Sequence, residues 1–166
     1  MYRKIDEFID DWKSESESTR KVFGALTNES LDQKVYDQGR SIRQLAWHIT
    51  VSLSDTLHHS GLPAEAIDES QPAPKTVDEL IKRYESESKK IPEIIKANWT
   101  DEMLDEEINI FGQQWKRDTV LSSLIKHEAH HRAQITVLMR QAGLKVPGVY
   151  GPSKEEWAAF GMPSQE

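Results

Sequence analysis

One stretch restricts this chain more than any other. Residues 118–142 carry apolar side chains at Leu121, Leu124, Ile135, Leu138, Met139 and Ala142, the spacing of one helix face. With Leu124 at zero and about 100° per residue, the stripe spans roughly −40° to +60°. On the same wheel His131 falls near about −20°, Glu128 near about +40° and His127 near about −60°. Two imidazoles one turn apart and a carboxylate therefore point toward the core side of the helix. Burying such groups without partners is costly, so the fold must supply partners. A divalent ion does so, with neutral imidazoles as its ligands. His130 points about 100° away from His131 and reads as a surface residue.

Three further stretches share the helical period. The first carries Ile5, Phe8, Ile9, Trp12, Val22, Phe23 and Leu26 and stops near residues 27–30. The second opens on the capping box Ser41-Ile-Arg-Gln44, presents Ile42, Leu45, Ile49, Leu53 and Leu57, and ends near Ser60-Gly61. The third follows the proline-bearing loop 62–75 and opens on a second box, Thr76-Val-Asp-Glu79. Its stripe runs from Val77 to Ile95, and Pro92 is expected to kink it or to start a fresh turn. Asp118 is the expected N-cap of the fourth helix and Gly143 its stop. Between Trp99 and Lys116 the pattern is weak: 100–104 suits a short helical turn, and the alternation of 107–112 suits extended chain. After the fourth helix, Gly and Pro breaks flank a helical turn at 153–160, with Trp157 and Phe160 expected to tuck onto the body. Four amphipathic helices without a long strand pattern predict an all-α, four-helix-bundle fold.

The chain has 166 residues, which suits a single domain, 1–166, around one core. Its net charge of −7 argues against nucleic acid or an anionic membrane as partner, since both select a basic face. There is no cysteine, which excludes disulfides, thiolate metal sites and a cysteine nucleophile. The first residues, MYRKIDEFIDDWK, are not a signal peptide, and no run has the length of a membrane span, so a cytoplasmic protein is expected. The five tryptophans read as packing or interface residues, and the acidic run 101–107 as a solvated face.

His127-Glu-Ala-His-His131 satisfies the H-E-x-x-H pattern of zinc peptidases. Those enzymes take a third ligand after the motif, yet no histidine follows His131. Positions 134 and 137, Gly and His in the extended form, are Gln134 and Val137 here. The peptidase reading is therefore weak. Upstream, His48 lies at the edge of the second stripe beside Leu45 and Ser52 and can face a neighbouring helix. His58 and His59 lie roughly 15 Å further along that helix, too far to share an ion with it. They read as helix-end or solvent-facing residues.

The longer string HEAHHRAQITVLMRQAGLKVPGVYG, with Leu45-Ala-Trp-His-Ile49 upstream, resembles the signature of the DinB/YfiT-like superfamily. Ala133 stands where the usual H-R-G-Q version has glycine. The resemblance implies an up-down-down-up bundle with a short C-terminal helical tail, often a homodimer. It also implies one divalent metal, nickel or zinc, held by His48, His127 and His131, with Arg132 and Gln134 orienting helix or dimer contacts. Three protein ligands leave a position for water or substrate. Characterised relatives move a low-molecular-weight thiol such as bacillithiol onto an electrophilic small molecule. The leading expectation is thus a metal-dependent thiol transferase, with Glu128 as a helper or base. The alternatives are a metal-dependent hydrolase that activates water, and a non-catalytic metal-binding stress-response protein.

Overall fold

The computed structural model describes residues 2–163. Four long helices dominate it: α1 (Ile5–Gly24), α2 (Ile42–His59), α3 (Val77–Asn98) and α4 (Arg117–Gln141). A small antiparallel hairpin, β1 (Glu107–Ile110) and β2 (Gln113–Lys116), precedes α4. Short 3-10 turns occupy Asn28–Asp32, Asp101–Asp105 and Trp157–Phe160. The expectation of an all-α chain therefore misses one two-stranded sheet.

The helix starts follow from local chemistry. Both capping boxes form: Ser41 N–H donates to Gln44 Oε1 at 2.9 Å, and Thr76 N–H to Glu79 Oε2 at 3.2 Å. Two starts differ from the sequence reading. The first residue of α4 is Arg117, capped by the backbone of Lys116, so Asp118 lies inside the helix rather than at its N-cap. The first N–H of α1, that of Ile5, is taken by Asp101 Oδ1 at 2.8 Å, so part of the acidic run caps a distant helix. At the end of α4, Gly143 has φ +75 and Leu144 N–H reaches back to the Met139 carbonyl at 2.9 Å. That is the left-handed cap expected of glycine.

Each of α1 and α2 packs on both α3 and α4, which encloses one core. Phe8, Phe23, Ile49, Tyr84, Leu121 and Ile135 are almost wholly buried there. Burying a large apolar side chain contributes about 1.5–3 kcal/mol, so this face carries most of the stability. Pro92 neither ends α3 nor starts a new turn: the helix is continuous from Val77 to Asn98. Proline has no N–H to give the carbonyl four residues back, that of Ser88. The Trp12 indole N–H donates to that carbonyl instead, at 3.0 Å, so α1 satisfies the gap that Pro92 leaves in α3. Phe160 is 63% exposed and does not tuck onto the body, whereas Trp157 is half-buried. No described helix is long and apolar enough to cross a membrane.

Candidate metal centre

Packing of α2 on α4 brings His48 opposite the His127/His131 pair. His127 Nε2 lies 3.3 Å from His48 Nε2 and 3.1 Å from His131 Nε2. A ligand atom from each of the three falls within 4.8 Å of the other two. Imidazole nitrogens bound at about 2.0–2.1 Å around a tetrahedral ion sit roughly 3.3 Å apart, so the observed spacing fits a divalent metal.

The far side of two rings fixes which nitrogen carries the lone pair. His48 Nδ1 donates to Glu69 Oε1 at 2.8 Å, and His131 Nδ1 to Gln134 Oε1 at 2.8 Å. Their Nε2 atoms are then bare acceptors, and both face His127. Lone pairs so converged are satisfied by a cation between them or by the Nε2–H of a neutral His127. The surroundings disfavour a charged imidazolium. Burial, followed by the charges of His131 and His48, pushes the His127 pKa down to about 4. Burial also lowers that of His131, opposed by its hydrogen bond to Gln134. Neutral imidazoles are the form a metal takes. Beyond the rings, Glu69 reaches Arg40 at 3.5 Å, and Gln134 Nε2 donates to His130 Nε2 at 3.2 Å.

Glu128 is not part of the histidine cluster. It is 1% exposed, and its Oε1 accepts from Thr19 Oγ1 at 2.5 Å and from the Tyr84 hydroxyl at 2.6 Å. It thus ties α4 to α1 and α3. Oε2 has no hydrogen-bond partner among the described residues. Burial raises the Glu128 pKa, opposed by the Thr19 and Tyr84 hydrogen bonds and by Arg132. Arg132 is itself buried and donates to the Glu15 carbonyl, Thr19 Oγ1, Glu15 Oε2 and the Tyr150 hydroxyl at 2.6–3.1 Å. This arginine therefore locks α4 onto α1 and the C-terminal segment.

Beside the histidines opens a cavity of about 650 Å³. His48, His127 and Glu128 form one side of it, and the hairpin residues Phe111 and Trp115 form another. Phe111 has φ 53 at the first position of a two-residue turn and Gly112 has φ +78 at the second. Such hairpin turns favour Asn or Asp at the first position, so an aromatic there is a strained choice at a cavity edge. Trp115 packs against the core, as the sequence suggested, and also lines this cavity. His58, His59 and His130 lie outside the cluster, as the sequence suggested. His58 Nδ1 meets the Ala64 carbonyl at 3.0 Å, and His59 stacks on Phe111 with centroids 4.7 Å apart. The sequence reading missed Glu69, because a loop residue has no helical period to mark it. It named Gln134 without its link to His131 Nδ1, which the spacing 131–134 could have signalled.

The DinB family model matches residues 1–166. The uncharacterized protein YrdA of Bacillus subtilis (strain 168) is 40% identical over 162 residues, which is 98% of this chain and 97% of that protein. A DinB-like protein from Bacillus cereus ATCC 10987 superposes with a TM-score of 0.85 at 37% identity, over 90% of this chain and all of that one. YfiT of Bacillus subtilis, described as a "probable metal-dependent hydrolase with an unusual four-helix bundle topology", gives a TM-score of 0.67 at 17% identity. It covers 85% of this chain and 89% of its own, and at that identity the likeness is one of fold. Over its whole length, this chain belongs to the DinB family.

Proposed function

We propose that this protein is a metal-dependent hydrolase of a small molecule, with His48, His127 and His131 as the ligands of one divalent ion. The convergence of Nε2 atoms at 3.1–3.3 Å, with two Nδ1 atoms held from behind, carries the reading. Imidazole donors suit nickel and zinc alike. Bound there, such an ion supplies Lewis acidity and lowers the pKa of water. The protein's own groups do the rest. Glu69 and Gln134 fix ring orientation. Glu128, which lines the same cavity and whose buried Oε2 has no hydrogen-bond partner among the described residues, is the proposed proton acceptor. Phe111, Trp115 and Leu124 give that wall its apolar part. The description of YfiT as a probable hydrolase supports the same assignment.

Thiol transfer, the leading expectation from the resemblance, fits the cavity less well. Bacillithiol carries carboxylates, and no lysine or arginine lines this cavity among the described residues; Arg40 lies beside His131 and is paired with Glu69. Arginine or lysine is the usual partner of such groups. The family likeness also supports an up-down-down-up order. Arg43 reaches the carbonyls of Pro74 and Lys75, which puts the starts of α2 and α3 at one end. Lys96 meets Asp6 at 2.8 Å, which runs α1 against α3. The exposed apolar residues Val35, Tyr36 and Val137 beside His131 suit the expected homodimer.

The test is turnover of a panel of small esters and amides by zinc- or nickel-loaded protein without added thiol. Activity is expected there, abolished in His131→Ala together with metal binding. Glu128→Gln keeps the Thr19 and Tyr84 hydrogen bonds, so it should bind metal normally and lose about 10²–10⁴-fold in kcat. Turnover that requires bacillithiol, or that survives in His131→Ala, would refute the hydrolase reading. Full activity in Glu128→Gln would reduce Glu128 to a structural tie.

A further inference from the structure

The histidines belong to two runs with a spacing of four residues: His48, Ser52 and Thr56 on α2, and Ser123, His127 and His131 on α4. Residues at that spacing share one side of a helix, so each run carries the face of the metal centre further along its helix. All of them except His131 line the cavity of about 650 Å³. Two of the hydroxyls on this face differ from the rest of the bundle. A serine or threonine inside a helix often gives its hydroxyl hydrogen to a carbonyl of the preceding turn. Ser52 does so, to the His48 carbonyl at 2.6 Å, and so do Thr50, Ser54, Ser88 and Thr136. Thr56 and Ser123 do not. Among the described residues of the four long helices, they are the half-buried serine and threonine side chains that make no hydrogen bond, and both line this cavity. Each hydroxyl is therefore a donor and an acceptor left open to whatever occupies the space. The charges around them narrow that occupant. Asp55, Asp68 and Glu69 line the cavity and no lysine or arginine does among the described residues, which disfavours a carboxylate or phosphate there.

We propose that Ser123 is a substrate-binding residue, whose hydroxyl donates to an uncharged carbonyl, that of an amide, at a set distance from the metal. The proposal deepens the hydrolase reading and rests on it for the bond that is cleaved at the ion. Ser123 precedes His127 by one helical turn, about 6 Å along α4. Thr56 follows His48 by two turns, about 12 Å along α2, so Ser123 is the nearer of the two open hydroxyls. The substrate is thus a short neutral molecule with a second carbonyl roughly 6 Å from the cleaved bond. A hydroxyl fixed at that point selects for the carbonyl, because an apolar group in its place leaves the donor unpaired. Phe111, Trp115 and Leu124, in the same wall, suit the carbon chain between the two ends.

Binding tests this contact without any turnover. Two hydroxamates ligate zinc through the same head and differ only beyond a two-carbon spacer. N-hydroxysuccinamide carries a carboxamide there, and isocaprohydroxamate carries an isopropyl group of the same shape. Calorimetric titration of the zinc-loaded protein gives the ratio of their affinities, from which the shared contribution of the metal cancels. In Ser123→Ala that ratio should shift about three- to tenfold toward isocaprohydroxamate, through weaker binding of N-hydroxysuccinamide alone and with zinc affinity unchanged. Ser123→Thr keeps a hydroxyl and should keep the wild-type ratio. An unchanged ratio in Ser123→Ala, an equal loss for both probes, or no hydroxamate binding to the zinc-loaded protein would overturn the proposal. If the ratio shifts as expected but no ester or amide turns over, the hydrolase reading fails and the Ser123 contact stands. Turnover together with an unchanged ratio removes the Ser123 contact and leaves the hydrolase reading in place.

Discussion

Gln134 joins two histidines: it accepts from His131 Nδ1 at 2.8 Å and donates to His130 Nε2 at 3.2 Å. Only the first contact bears on the metal centre, because it holds the Nε2 lone pair of His131 toward His127. Replacing Gln134 by Leu removes the acceptor and keeps the helix. Metal affinity should then fall about 10–100-fold, measured by competition with a chromophoric chelator, with unchanged helicity. Equal affinity in the variant would show that the ring is oriented by other means. The His127/His131 pair was legible because a helix repeats every 3.6 residues, so sequence alone puts both rings on one side. His48 was less so: a single histidine at a stripe edge has no partner within its own helix to mark it. Its role came from the family resemblance, and the 3.3 Å approach to His127 now gives it a place. Glu128 shows the reverse case. The wheel rightly puts it inside, but a wheel cannot tell that Thr19 and Tyr84 are waiting there.

At the level of elements, the link between α1 and α3 is unusually specific. Pro92 leaves the Ser88 carbonyl without its helical partner, and Trp12 supplies one. Trp12→Phe keeps most of the apolar contact and deletes the donor, so it should cost about 1–3 kcal/mol in chemical denaturation. Pro92→Ala restores an N–H to that carbonyl. In that background the cost of Trp12→Phe should shrink, with a coupling of about 1 kcal/mol. Strict additivity would mean that the carbonyl does not connect the two positions. Pro92 starts no fresh turn, since α3 runs unbroken, and the indole that takes the freed Ser88 carbonyl lies 76 positions from that serine. The first strand was legible as extended chain at 107–112, but its pairing in a hairpin was not, for a local reason. The hairpin's strands are four residues each, mostly exposed, and its turn is Phe-Gly rather than the Asn-Gly that marks such turns. Asp118 failed as a cap because the strand β2 hands directly into α4, leaving Lys116 in the cap position.

On the scale of the whole molecule, the three histidines come from only two of the four helices. An ion that binds the folded state alone stabilises it by about 2.7 kcal/mol at a hundredfold excess over Kd. For a chain of this size the melting temperature should rise by roughly 5–10 °C on adding zinc or nickel, reverse with a chelator, and stay flat in His131→Ala. No rise in the wild type would argue against tight binding. The overall architecture was readable from periodicity because each helix shows an apolar stripe, and α2 and α3 also show a recognisable start. The rest of the site was not, since Asp68 and Glu69 lie in the loop after α2, where local sequence says little about position. His48 and His127 are 79 residues apart along the chain. An ion bound between them would therefore act as a removable cross-link closing a long loop that encloses all of α3 and the hairpin. Removing it would free α2 to part from α4 while Trp12 and Arg132 still hold α1 against its neighbours. Chelation should thus loosen one seam of the bundle first, and amide exchange would show that seam along α2.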